Sequence, residues 1–358
     1  MTLSKHHIRI LKSLIITALV LVARPMHDSG RTLAESQVDI FHFSGRTIVC
    51  AIELGDDMRD GHGLESGFAY EILKDFARDH NCKIEIHVST KRTNYLDSLT
   101  KGTIDLLVMH HEEGVANNDI ILSDNIIDCS AIAFCKGRED HVQEINDWIK
   151  EYTVSDEYST LKGKFFRPFN PIKRAERGVR SSTISPYDDL FKKYAKELGW
   201  DWRMVAAVVY QESKFSISSR SHRGACGLMQ VMPQTGSFYG VENLADPEQN
   251  LMAGTRHLKR IQGLYRNAKM SNEERVRFTL AAYNAGEGRI KDCRNLARSK
   301  GLDPNVWSNI VKVIPLMRED SILDDEAIRL GKFNGTETIT YVENVTSLYN
   351  AICKICPR

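Results

Sequence analysis

Two short stretches of this sequence hold the residues best suited to chemistry. In the first, an apolar run ends in VVYQES, which places the carboxylate Glu212 after Val208 and Val209, and a polar, glycine-rich segment then leads to Gly227-Leu228-Met229-Gln230. In the second, the chain reads AAYNAGEGRI from Ala281 to Ile290. A carboxyl backed by apolar side chains resists ionisation, so its pKa rises and it can act as a general acid. The plainer reading of such a Glu is a cap or a salt bridge at a helix end. Ser221, Gln230, Met232, Tyr283, Asn284 and Tyr341 are the further polar, aromatic or sulfur-bearing candidates around it.

The elements that must position these residues follow from capping and periodicity. Ser185-Pro186 reads as a helix start, and Leu190, Tyr194 and Leu198 recur at helical spacing before Gly199. Asp201 can cap the next helix, whose apolar face is Met204, Val205, Val208 and Val209 and which delivers Glu212. Further helices are expected over Pro247–Tyr265, Glu273–Ala285, Pro304–Met317 and Tyr341–Ile352.

Taken in order, ESKF at Glu212–Phe215, S-x-x-GA-x-GLMQ-x-MP-x-TG from Ser221 to Gly236, AYNAG at Ala282–Gly286 and ETITYVENV at Glu337–Val345 resemble the family 1 lytic transglycosylases of the soluble-lytic-transglycosylase type. The resemblance implies a mainly α, goose-type lysozyme-like domain over 186–352. It also implies a peptidoglycan lytic transglycosylase, a carbon–oxygen lyase. Such an enzyme cleaves the β-1,4 bond between N-acetylmuramic acid and N-acetylglucosamine and leaves a 1,6-anhydro end, as part of wall remodelling. On it, Glu212 is the catalytic acid/base, Ser221 bonds near the reacting sugar, and Gln230 and Met232 line the glycan groove. Tyr283 has its hydroxyl close to the acid, Asn284 is its neighbour, and Tyr341 borders the cleft. Read plainly, Met232 and Tyr283 are core residues and Ser221 is a loop cap. Most glycosidases use two carboxylates; the nearest other acids in these motifs, Asp246 and Glu287, do not match the family spacing. A single acid suffices where the substrate's own 6-hydroxyl attacks. Where the family has AG-x-x-YL, the sequence has AGTRHL, which puts His257 in place of an aromatic alcohol. The family fold also suggests a Cys226–Cys293 disulfide. Two alternatives stay open: a lysozyme-type hydrolase, and a non-catalytic wall-binding sensor.

The chain has 358 residues, enough for two domains, with 42% hydrophobic and 27% charged residues. A net charge of +1 gives no electrostatic case for nucleic acid as a partner. Residues 1–26 combine Lys5, Arg9 and Lys12 with the apolar run Leu14–Ala23, too short to span a bilayer and suited to a signal peptide; an uncleaved anchor stays open. Export to the periplasm, with or without membrane association through this segment, is therefore expected. The 8 cysteines fit an oxidising compartment. Cys353-x-x-Cys356 lacks a second such pair, so a local disulfide, or pairing with distant cysteines, is favoured over a zinc site, and no metal or cofactor is expected.

Between residues 40 and 167, strands alternate with helices: TIVCAIEL, then GFAYEILKDFARDH, a strand at Cys82–Val88, a helix at Asn94–Lys101, TIDLLVM and a strand at Ile126–Phe134. Alternation of this kind predicts βαβ units on a parallel sheet. The helix G-x-x-x-E-I-L-K-D-F-A and L-x-x-G-x-I-D-L are similar to the extracellular solute-binding domain, family 3. Ile132–Lys136 runs almost directly into the helix VQEINDWIKEY, so a single periplasmic-binding-protein-like α/β lobe is expected, without the family's second lobe. A muropeptide or a wall protein is the ligand this suggests; a structural or partner-docking module is the plainer reading, and both stay open. Residues 168–185, basic and rich in Pro, Gly and Ser, read as a linker. This order of modules resembles that of the membrane-bound lytic transglycosylase F type.

Overall fold

A computed structural model describes residues 43–54, 64–88, 95–111, 118–166, 170–320 and 328–357. The expected leader, residues 1–26, lies outside them.

The first part of the chain builds a mixed five-stranded sheet in the order β2-β1-β3-β5-β4, from β1 Thr47–Glu53, β2 Lys83–Val88, β3 Leu106–His110, β4 Ile120–Leu122 and β5 Ser130–Cys135. β1 runs parallel to β2 and β3, but β5 is antiparallel to both β3 and β4. The expectation of a parallel sheet thus holds for three strands and fails at one edge. There the Ile126–Cys129 stretch, expected as strand, turns the chain back: Ile126 N–H donates to Ser130 O at 2.8 Å and Ser130 N–H to Ile127 O at 2.7 Å. β4 has no counterpart in the sequence pattern, because its three residues are all half-buried and show no alternation.

Alternation along β1 separates two apolar faces, Ile48, Cys50 and Ile52 on one and Ala51 on the other. Helix α1 (Glu65–Asp79) covers the first face with Phe68, Ile72, Leu73 and Phe76. Ile145 and Ile149 of α3 (Glu139–Tyr152) join it, while Leu99 of α2 (Tyr95–Thr100) and Ile104 cover the second. α4 (Asp156–Phe165), capped by Ser155, brings Phe165 back to α1.

Residues expected as a linker contain a short helix, α5 (Pro171–Glu176), with Asn170 accepting from Lys173 N–H as its cap and proline at the start. Then come α6 (Asp188–Leu198), α7 (Trp202–Ser213), α8 (Pro233–Phe238), α9 (Pro247–Gly263), α10 (Asn272–Ala285), α11 (Glu287–Ser299), α12 (Trp307–Val313) with a following 3-10 turn (Ile314–Arg318), and α13 (Thr336–Ile355). Ser185 acts just before α6: its hydroxyl accepts from Tyr187 N–H and donates to Asp188, whose carboxylate also takes the Ile184 and Ser185 amides. Asp201 and Asp246 cap α7 and α9 through their side chains. α11 was not expected, though Ile290, Cys293, Leu296 and Ala297 bury one face of it.

Sheet and helices meet along one seam. Tyr70 donates to Asp246 Oδ2 at 2.7 Å, Asn243 Nδ2 donates to Ile86 O at 2.8 Å, and Phe165 packs edge-on against Tyr187 at 5.8 Å. Glycine is required at Gly67, where a Cβ would stand 2.5 Å from the Tyr187 hydroxyl. All eight cysteines are free thiols, so neither Cys226–Cys293 nor Cys353–Cys356 is bridged. Cys293 is buried inside the α11 face and Cys226 sits half-buried in the loop before GLMQ.

Candidate active site

Val205 to Val209 of α7 are fully buried, so the helix is fixed along its apolar side and its last turn carries Glu212 to the surface of the core. The chain leaves that turn through two left-handed residues, Lys214 (φ 54) and Phe215 (φ 71). Ser213 ties the turn down, its hydroxyl lying 3.1 Å from Val209 O and 2.9 Å from Leu228 O. The end of α7 and the GLMQ turn are therefore one unit.

Asn250 of α9 holds the other side of that turn. Its fully buried amide accepts from Met229 N–H at 2.8 Å and donates to Cys226 O and Leu244 O, both at 2.9 Å. Gly227, at φ +71, could carry no side chain, since a Cβ would lie 2.4 Å from Asn250 Nδ2. Gln230, also left-handed at φ 48, turns its amide NH2 inward to Ser219 O and Gly227 O, each at 3.0 Å. Sequence reasoning missed Asn250 and Ser213. A signal existed for Asn250, an amide on the stripe otherwise made of Leu251, Gly254 and Leu258.

Two tyrosines close over the acid. Tyr341, on α13 and 6% exposed, donates to Glu212 Oε1 at 2.6 Å. Tyr283, on α10, donates to Met229 O at 2.8 Å instead, while its ionisation is opposed by burial and then by the charge of Glu212. Burial pushes the Glu212 carboxyl up to about 7, and the Tyr341 hydrogen bond offsets part of the rise. Tyr341 is itself held neutral by burial and by Glu212. The site is thus a carboxyl that carries its proton near neutral pH, with one oxygen fixed by a neutral donor and the other left for chemistry.

The remaining candidates lie around this centre. Asn284 is exposed and accepts from the buried Thr338 hydroxyl at 2.8 Å, which joins α10 to α13. Ser221 is exposed and its Oγ accepts from Ala225 N–H at 3.0 Å, closing its own loop. Met232 is 40% exposed. His257 faces Tyr283 with ring centroids 5.7 Å apart, and burial lowers its pKa. Asp246 is engaged in its helix cap and with Tyr70, and Glu287 bridges Arg260 at 2.6 Å. Among the described residues, no second carboxylate contributes to the shift of Glu212, and no group of three His, Cys, Asp or Glu could hold a metal.

Residues 189–306 match the family model described as the transglycosylase SLT domain, a match that contains Glu212 and Tyr283 and stops before Tyr341. The "Membrane-bound lytic murein transglycosylase F" of Desulfosudis oleivorans is 28% identical over 324 residues, 87% of this chain and 70% of that protein. Proteins of the same name from Vibrio campbellii and Shewanella loihica are 33% and 36% identical over 55% and 48% of this chain. Against these two the alignments span only 37% and 35% of the relative's length. The 70 kDa soluble lytic transglycosylase of Escherichia coli superimposes on 48% of this chain and 24% of its own at 28% identity, with a TM-score of 0.32, too low to bear on the fold.

Proposed function

We propose that the transglycosylase SLT domain of this chain cleaves peptidoglycan glycan strands with Glu212 as its only acid/base. What carries the reading is the state of Glu212: a carboxyl with its pKa raised to about 7, one oxygen held by Tyr341, and no carboxylate partner among the described residues. Protonated Glu212 donates its proton to the oxygen between N-acetylmuramic acid and N-acetylglucosamine, and the C1–O bond breaks. The carboxylate left behind then takes the proton of the muramic 6-hydroxyl, whose oxygen bonds to C1. Proton and bond counts close with no water consumed, and a 1,6-anhydro end results. Tyr341 steadies the carboxylate between the two transfers. Tyr283 and Asn250 fix the GLMQ turn beside it, and the exposed Ser221 and Met232 supply polar and apolar surface for the sugars.

The preceding sheet, in this proposal, is the single lobe of a solute-binding-like module that places wall fragments near the helical domain, and the protein works in the periplasm at the membrane. Among the described residues, no helix is long and apolar enough to cross a membrane. Digestion of purified sacculi followed by mass spectrometry tests the reaction. Muropeptides lighter by one water than lysozyme products support it, and reducing-end products would replace it with hydrolysis.

A further inference from the structure

A second cluster of reactive side chains lies away from the helical site, at one end of the sheet. His110 is the last residue of β3. Its Nδ1 lies 3.3 Å from the sulfur of Cys129 and 3.2 Å from the Ser130 hydroxyl. Its Nε2 lies 3.0 Å from Glu65 Oε2 and 3.2 Å from Leu54 O. Glu65 opens α1 with only 8% of its side chain exposed. Cys129 is the exposed cysteine, whereas the other seven are buried or half-buried.

The order of these groups is that of an activated nucleophile: a thiol, an imidazole in contact with it, and a buried carboxylate that orients the imidazole from behind. Hydrogen bonding to Glu65 is the main cause that pushes His110 up to about 9, against the opposing effect of burial. The ring is therefore a cation at neutral pH and donates from both nitrogens. The thiolate is the form of a cysteine that attacks, and the His110 ring is in direct contact with this sulfur. The turn that carries Cys129 is tied by its own hydrogen bonds: Asp128 is left-handed at φ 42, Cys129 O accepts from His111 N–H at 3.0 Å, and Asn125 Nδ2 donates to Asp128 O at 2.6 Å.

Position matters as much as geometry. From β1 the chain goes first to β2 on one side and then to β3 on the other, so the strand order reverses between β1 and β3. Crevices at such switch points, outside the carboxyl ends of parallel strands, are where open α/β sheets take ligands. Leu54 and His110 mark those two ends.

We propose that Cys129 is a nucleophilic thiol, served by His110 and Glu65, that exchanges with small-molecule disulfides. Its thiolate attacks one sulfur of a disulfide RS–SR. A bond forms between Cys129 Sγ and that sulfur while the original S–S bond breaks, and the departing RS⁻ takes a proton to become RSH. The disulfide is the oxidant and no other is needed.

The test uses the full chain and oxidised glutathione, with adducts located by peptide mass mapping. A free cysteine peptide is only about 3% thiolate at pH 7. With its sulfur exposed and in contact with His110, Cys129 should react about tenfold faster than that peptide and before the other cysteines. Glu65→Gln and His110→Asn should bring the rate down to that of the peptide, with glycan cleavage unchanged. A native Cys129 no faster than the peptide, or a different cysteine modified first, overturns the proposal without any variant. Folded variants that keep the fast rate overturn it too.

Discussion

Replacing Glu212 by Gln should stabilise the protein above neutral pH while removing its activity. The carboxyl rises from 4.5 to about 7 on folding because it is buried. Over that interval the folded chain holds a proton that the unfolded chain has released. The wild type therefore loses stability as pH climbs from the lower value to the higher, and the loss is complete above about 7. At about 1.4 kcal/mol per unit, the ceiling is about 3 kcal/mol. The carboxyl keeps a solvent-facing edge, which trims this to about 2 kcal/mol. Gln is neutral throughout and keeps an oxygen to accept from Tyr341, so the variant escapes the cost. The two proteins share every other titrating group, so the difference between their melting temperatures isolates Glu212. For a chain of this size, about 2 °C accompanies each kcal/mol, so the gap should widen by about 4 °C in favour of Gln between pH 4.5 and pH 8. Scanning calorimetry of both proteins across that range measures it. A gap that does not change with pH would refute the burial account of the site. In the same variant, sacculus solubilisation should fall by about 10²–10⁴-fold, since the proposed reaction gives both proton transfers to this one group.

Tyr341→Phe removes the donor that holds the Glu212 pKa down. The alkaline limb of the pH–rate profile should move to higher pH and the maximal rate should fall about tenfold, because the carboxylate formed after the first transfer loses its hydrogen bond. Asn250→Ala strands Met229 N–H and two carbonyls in a buried turn. Urea unfolding should show a loss of about 3 kcal/mol, and cleavage should drop with it because the GLMQ turn loses its anchor.

Local chemistry was readable from the sequence. Asp201 before an apolar helix, Asp246-Pro247 at the start of another and the ordered GLMQ and AYNAG stretches each act within a few residues of themselves. They fixed where α7 and α9 begin and which carboxyl to watch. The three parallel strands followed from alternation with helices, for the same local reason. Partnerships across long separations were decided only in three dimensions. Nothing in ETITYVENV says that Tyr341, 129 residues on, donates to Glu212, or that Tyr283 donates to Met229 instead. The antiparallel return of β5 depends on a turn at Ile126–Cys129 whose residues, by type, suit a strand equally well. The two cysteine bridges did not form, because a thiol's partner is set by packing, and Cys293 is packed into the buried face of α11. Glu65, His110 and Cys129 carry no shared motif; only the packing of α1, the end of β3 and the turn before β5 brings them within reach of one another. Sequence determines which side chains can ionise, cap or turn. Burial and approach distance set what each ionisable group does, and both belong to the tertiary structure.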